Sequence, residues 1–486
     1  MLTNNEVALY KQASAQYSTA SPYQPSANYP ECPLRTSLDP INETYGSVRE
    51  SFCLLGMDKQ NYGTTNWNPL RHLVRHGDNV LLKPNLIAHS HMYTNEWEHV
   101  ITNGSILRAM VDYVFIALGG EGKLVIADAP QTDSHIDRIK QRTGIDAIQE
   151  LYWTKKRFEI SFVDLRDEHW VVKDGVCVDK VKLPGDPLGN VRVNLGHNSF
   201  FAEHRGMNKR YYGAFYDLAE TNEHHTDDVH EYMISRTALE SDVFINLPKL
   251  KTHKKVGVTL NLKNLVGING NKNWLPHYCV GSPAENGDQF PASSMRGRVE
   301  NRIVLSAKRL LLGENPVAKL AARKLKGLGY RVFGHTEEII RSGNWYGNDT
   351  CWRMTLDLNR ILLYANPDGT LRTTPKRYFS VIDGVRAMEG NGPVAGTPKN
   401  TGVIIAGYNP LATDVVCAQF MGLDYRKIPM LHRAFGQSEF PFANFTPGEI
   451  SIVSNNCMLR GKLTDLPQQS ATRFQPHFGW QGHVEL

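Results

Sequence analysis

The sequence predicts an α/β protein with a central mixed, mainly parallel sheet, helices on both faces and two long insertions. Three observations predict it. First, five apolar runs each end in polar residues that are costly to bury: Asn79 to Leu82 before Lys83, Pro84 and Asn85; Lys123 to Ala127 before Asp128; Asp242 to Asn246 before Lys249, Lys251 and His253; Tyr378 to Ile382 before Asp383; and Thr401 to Ala406 before Gly407 and Asn409. Second, a helical stretch from Ser105 to Leu118, closed by Gly119-Gly120, joins the first two runs into a βαβ unit. Third, helix-like segments follow the later runs, LNLKNLVGI after the third and NPLATDVVCAQF after the fifth. In an open α/β sheet the ligand crevice lies at the carboxyl ends of the strands, where these polar residues fall.

In chain order, residues 1–45 are rich in Ser, Tyr, Asn, Pro and Gln without a sustained period, which predicts a tail or wrapping arm. A single domain spans 46–460. Its strand from Asn79, helix and strand from Lys123 form the opening unit. Residues 131–240 form the first insertion, an elaboration of the sheet with β-rich material such as HWVVKDGVCVDKVKL turning at Asp174-Gly175. The third run follows, then a second insertion over 269–376, then the last two strands and a helix carrying Asp414. Residues 461–486 are expected to form a C-terminal tail.

Composition fits a protein of enzyme size. The 486 residues are 41% hydrophobic and 21% charged, enough for one large core or two ordinary ones. A net charge of +5 is small for this length and does not call for nucleic acid. No run approaches the roughly 20 apolar residues of a membrane span, and MLTNNEVALYKQ has neither the basic region nor the apolar core of a signal peptide. The expected location is the cytoplasm. The seven cysteines, Cys32, Cys53, Cys177, Cys279, Cys351, Cys417 and Cys457, include no CxxC pair. That pattern provides neither an iron-sulfur cluster within the chain nor a zinc ribbon, and reads as reduced thiols.

VLLKPNL, VFINLPKLKTH with LNLKNLVGI after it, and IDGVRAMEGNGPVAG followed by NPLATDVVCAQFMG resemble the domain-of-unknown-function-362 family over roughly residues 75 to 425. The resemblance implies no settled activity. Some relatives carry ferredoxin-like iron-sulfur modules, which implies redox work with a separate iron-sulfur partner as one alternative. Others accompany polysaccharide genes, which fits the aromatics Trp345, Tyr346 and Trp352 stacking on a sugar ring. This chain departs from the family at Asn409, where Asp is common, and in lacking clustered cysteines.

If the strand ends converge, Asp128, Asp383, Glu389 and Asp414 suit a hard divalent cation, Mg²⁺ or Mn²⁺. Lys83, Asn85 and Asn391 then bind substrate, and Lys249, Lys251 and His253 bind or protonate it, since lysines suit phosphate or carboxylate. Each carboxylate also has an ordinary structural reading, as a turn, dipole or surface residue. The glycines of MEGNGPVAG are able to form an anion-binding nest or simply a tight packing loop. His89, His91, His99, His224, His225 and His230 have spacings open to metal, though loop histidines are more often surface residues.

The preferred expectation is a cytoplasmic enzyme acting with divalent-metal help on an anionic small molecule that is phosphorylated, carboxylated or glycan-linked. A further alternative is a binding or assembly factor at an anionic membrane surface, through residues 305–331. There Lys308, Arg309, Lys319, Arg323, Lys324, Lys326 and Arg331 face only Glu314 as counter-charge. Neither reaction type nor oligomeric state is readable.

Overall fold

The computed structural model describes the chain apart from residues 174–175, 205–209, 214–216, 294–305, 307–338 and 467–471. The basic stretch from Lys308 to Arg331 and the Asp174-Gly175 turn lie outside the described residues. Among the described residues eleven strands form the main sheet, nine of them on a path that runs Gly461–Lys462, Ser451–Ser454, Glu6–Lys11, Thr397–Gly407, Arg377–Glu389, Val243–Leu247, Asn79–Pro84, Lys123–Asp128 and Ile160–Asp164. From Arg377–Glu389 to Ile160–Asp164 all neighbours are parallel, and the antiparallel pairings gather toward the other edge. The fold is therefore α/β with a large, mostly parallel sheet and helices on both faces.

Alternation along each strand produces the two layers. In Asn79–Pro84, Val80 and Leu82 enter the core under the helices Glu43–Leu54, Gly104–Leu118 and Ile145–Lys156, while Leu81 enters the core shared with Cys351–Tyr364 and Pro410–Phe420. Gly104–Leu118 begins where Asn103 Oδ1 accepts from Ser105 N at 2.9 Å and ends at Gly119, whose φ of 66° is natural only for glycine.

The segment expected to be a tail or wrapping arm and the segment expected to be a C-terminal tail both pack into the fold. Glu6–Lys11 is an interior strand between Thr397–Gly407 and Ser451–Ser454, with Val7, Ala8 and Leu9 wholly buried. Its partners lie at the far end of the sequence, so no local pattern announces it. At the other terminus Trp480 is buried and donates to Lys254 O at 2.9 Å, clamping the lysine-rich loop. The segment 131–240 likewise contributes a main-sheet strand, Ile160–Asp164, besides the expected hairpin strands Glu168–Lys173 and Val176–Lys182.

The last two runs differ from expectation in connectivity. Arg377–Glu389 and Thr397–Gly407 form one long antiparallel hairpin whose tip is the glycine-rich segment, so Asp383 lies within a strand. At that tip Gly390 N donates to Gln475 O at 2.7 Å and Gly392 N to Gly390 O at 2.8 Å. Those two N–H groups are spent on the protein and do not face a ligand as a nest requires. The segment is a packing loop: a Cβ on Gly392 would lie 2.0 Å from Thr252 O.

Candidate functional site

At Pro248 the chain steps off the strand Val243–Leu247 into a second short strand, Lys249–His253, parallel to Arg377–Glu389 and antiparallel to Gly257–Thr259. All five of its residues are buried. The lysines of the motif are therefore not a solvated charge run, and each ammonium must find partners inside the protein.

Lys249 Nζ donates to Asp383 Oδ2 at 2.9 Å and to the Tyr17 hydroxyl at 2.7 Å. Asp383 also accepts from the Tyr17 hydroxyl and from Asn103 N, the latter at 2.9 Å. Lys83 Nζ forms an ion pair with Asp128 Oδ1 at 2.6 Å and donates to Pro84 O at 2.9 Å and Asn264 Oδ1 at 3.4 Å. Lys251 has no carboxylate partner among the described residues; its ammonium donates to Asn85 Oδ1 at 3.2 Å, Val100 O at 2.8 Å and Pro393 O at 3.3 Å. An ammonium has three donors, so the hydrogens of Lys83 and Lys251 are all taken by protein oxygens. Burial lowers all three lysines, Lys251 the furthest, with Lys249 adding repulsion there.

His253 Nδ1 accepts the Lys255 backbone N–H at 3.0 Å, which fixes the neutral ring with its proton on Nε2. Burial, then Lys263, Lys254 and other nearby cations, hold its pKa well below the usual histidine value. The ring is thus a hydrogen-bond donor at neutral pH. Asn85 is fixed by its backbone N–H to Leu247 O at 3.1 Å and Thr102 Oγ1 at 2.9 Å, and Asn391 is partly buried at the hairpin tip.

The four carboxylates named from the sequence have separate partners. Asp128 holds Lys83 and accepts from Leu86 N at 2.7 Å. Asp383 holds Lys249. Asp414, within the helix Pro410–Phe420, accepts from Asn261 N and Leu262 N at 2.9 Å each, so it caps the short helix Asn261–Asn264; burial raises its pKa to about 7. Glu389 binds Lys399 at 2.7 Å near the hairpin tip. Among the described residues no group of three or more His, Cys, Asp or Glu side chains is arranged to hold a metal ion. Asp128, Asp383, Glu389 and Asp414 each engage a different partner. Asn409 caps its helix by accepting from Leu411 N at 2.9 Å and Ala412 N at 3.0 Å.

The lysines with donors to spare were not singled out as site residues by sequence. Lys263 projects from Asn261–Asn264, is 7% exposed, and among the described residues its ammonium has no hydrogen-bond or ion-pair partner. Lys255 donates to Ser342 O and lies 4.7 Å from the Tyr278 ring centroid. Lys272 donates to Val266 O at 3.0 Å and Asn269 O at 3.1 Å. Burial, followed by charges that include other lysines, brings Lys255 and Lys272 down to about 7. In Lys251, His253, Lys255, Lys272 and His277 alike, burial is the largest cause of the lowering, and Lys263 is a further one. Lys263 therefore sits electrostatically among all five. The LNLKNLVGI motif contains it, but only the packing of Cys351–Tyr364 and residues 272–277 around this loop makes it a buried charge.

Gly267 explains the glycine of that motif. A Cβ there would lie 1.9 Å from Asp128 Oδ1 and 2.7 Å from Lys83 Nζ, so the backbone rests directly on the buried ion pair.

Residues 189–419 match the family described as Domain of unknown function (DUF362). A thylakoid-associated protein of Synechocystis sp. is 23% identical over 206 residues, which cover 42% of this chain and 40% of that protein. A crystal structure of a protein from Thermotoga maritima superposes with a TM-score of 0.32 and 11% identity, covering 79% of this chain and 60% of that one. The chain thus spans less than two thirds of either. Among the described residues no helix is long and apolar enough to cross a membrane.

Proposed function

We propose that the protein is an enzyme that binds an anionic small molecule, phosphorylated or carboxylated, among Lys255, Lys263 and Lys272. The observation that carries this reading is the buried ammonium of Lys263, without a partner among the described residues, within a group of further lysines and neutral histidines. Protonated lysines whose charges act on one another repel, and an anion relieves that repulsion while offering acceptors to their ammonium groups. In this account Lys83, Lys249 and Lys251, with Asn85, form the braced floor that positions the loop. His253 supplies a neutral N–H donor, and Asn391 belongs to the hairpin tip bordering the loop. The reaction is left open. A reducing compartment such as the cytoplasm suits the cysteines, which are all free thiols.

Thermal melts of the full chain in inorganic phosphate or pyrophosphate, at fixed ionic strength, test the proposal. The melting temperature should rise with the logarithm of ligand concentration above Kd, reflecting about 2.7 kcal/mol of stabilisation at one hundred times Kd. Lys272→Met and Lys255→Met should shift the onset of the rise to higher ligand. A response identical to that of chloride would remove the site.

A second reading has one observation in its favour: the relative from Synechocystis is named as thylakoid-associated, and residues 305–331 are strongly basic. On that reading the stretch binds anionic lipid headgroups. Co-sedimentation with phosphatidylserine-containing but not neutral vesicles is the expected result, and equal partitioning into both would dismiss it.

A further inference from the structure

We infer that Lys263 is a nucleophilic amine that condenses with an aldehyde or ketone on the bound anion, which narrows the ligand to a phosphorylated or carboxylated carbonyl compound. The inference rests on the reading of this lysine group as an anion pocket. It adds a covalent role for one residue.

A lysine attacks a carbonyl only through the lone pair of its neutral amine, so a nucleophilic lysine must be desolvated, near other cations, and free of acceptors that hold it as ammonium. Lys263 meets all three conditions. It is buried and has no partner among the described residues. Its charge acts on Lys251 and His253 of the strand Lys249–His253, on Lys255 of the turn after it and on Lys272 and His277 of the following segment, and the Cys351 thiol at the start of the helix Cys351–Tyr364 acts on Lys263 itself. Burial lowers the amine's pKa, with only the Cys351 thiol acting against it. Lys83, Lys249 and Lys251 fail the same test, because each is committed to a carboxylate or to three protein oxygens.

The step balances without a further reagent. The nitrogen lone pair bonds to the carbonyl carbon, the C=O π pair moves to oxygen, and a proton passes from nitrogen to that oxygen to give a carbinolamine. The C–O bond then breaks, the second nitrogen proton leaves with the hydroxyl as water, and a C=N bond to Lys263 remains. The neighbouring ammonium groups hold the phosphate or carboxylate while this occurs.

Pyridoxal 5′-phosphate, an aldehyde carrying a phosphate, is the probe. The full chain is incubated with it at neutral pH, reduced with sodium borohydride and mapped by peptide mass spectrometry. Lys263 should be the principal labelled lysine. Inorganic phosphate should protect it, and pyridoxal without the phosphate should label it about tenfold less, the ratio expected from losing one hydrogen bond to a charged group. Lys263→Arg should abolish that adduct without moving the label to another lysine. If phosphate raises the melting temperature but Lys263 stays unlabelled, or label spreads evenly over exposed lysines, the amine role is overturned while the anion pocket stands. No response to phosphate together with no label at Lys263 would remove both.

Discussion

Adding one methyl group at Gly267 should separate a buried ion pair. A Cβ there stands 1.9 Å from Asp128 Oδ1, 2.7 Å from Lys83 Nζ and 2.8 Å from Lys83 Cε, where contacts below about 3 Å are repulsive. Neither side has room to yield. The backbone is tied by Ala129 N to Gly267 O at 2.9 Å, and Asp128 is tied on its other oxygen by Leu86 N at 2.7 Å. Overpacking alone costs about 1 to 3 kcal/mol. Parting two charges whose side chains are 0% and 4% exposed raises the expected loss in Gly267→Ala to about 3 to 5 kcal/mol. Urea unfolding followed by tryptophan fluorescence measures it. In a Lys83→Met, Asp128→Ala background the same methyl meets no charge pair, and its cost should fall below about 1 kcal/mol. A Gly267→Ala protein that unfolds at the wild-type urea concentration, or equal costs in both backgrounds, would refute the reasoning.

Lys249→Met should cost about 3 to 5 kcal/mol because it leaves the wholly buried Asp383 carboxylate without its cation, and a melt within error of wild type would contradict that assignment. Asp414→Ala should cost about 1 to 2 kcal/mol by uncapping Asn261–Asn264, and should weaken phosphate binding because Lys263 rides on that helix; unchanged affinity would separate the cap from the site. Lys255 and Lys272 are lowered to about 7 in the folded chain and lie near 10.4 when unfolded, so between those values the unfolded state binds more protons. Their contribution to stability should therefore rise from about pH 7 toward pH 10, and Lys272→Met should flatten that rise; an unchanged slope in the variant would place the titration elsewhere.

The strands were legible wherever an apolar run ended in a costly polar residue, as at Lys83 and Asp128, because packing and polarity change within one or two positions. The hairpin was not. Asp383 looks like a strand end until Tyr17, Asn103 and Lys249 are seen to hold it within a strand, and Tyr17 comes from residues whose composition resembles a tail. Glu6–Lys11 has the same difficulty, since both its sheet partners are remote in sequence. In the candidate site, burial redistributes the roles expected of the lysine-rich loop. Lys251 spends its three donors on protein oxygens, while Lys263, which resembles any lysine on a short helix, has no partner among the described residues. Only the three-dimensional count of donors and acceptors distinguishes the two.

The most direct test of the anion pocket is a crystal soaked in tungstate, a tetrahedral dianion with a strong anomalous signal. An anomalous peak is expected within hydrogen-bond distance of Lys263 Nζ and of Lys255 or Lys272, lost in a Lys263→Ala, Lys272→Met protein. Tungstate found only on surface lysines, with these three amines untouched, would contradict it.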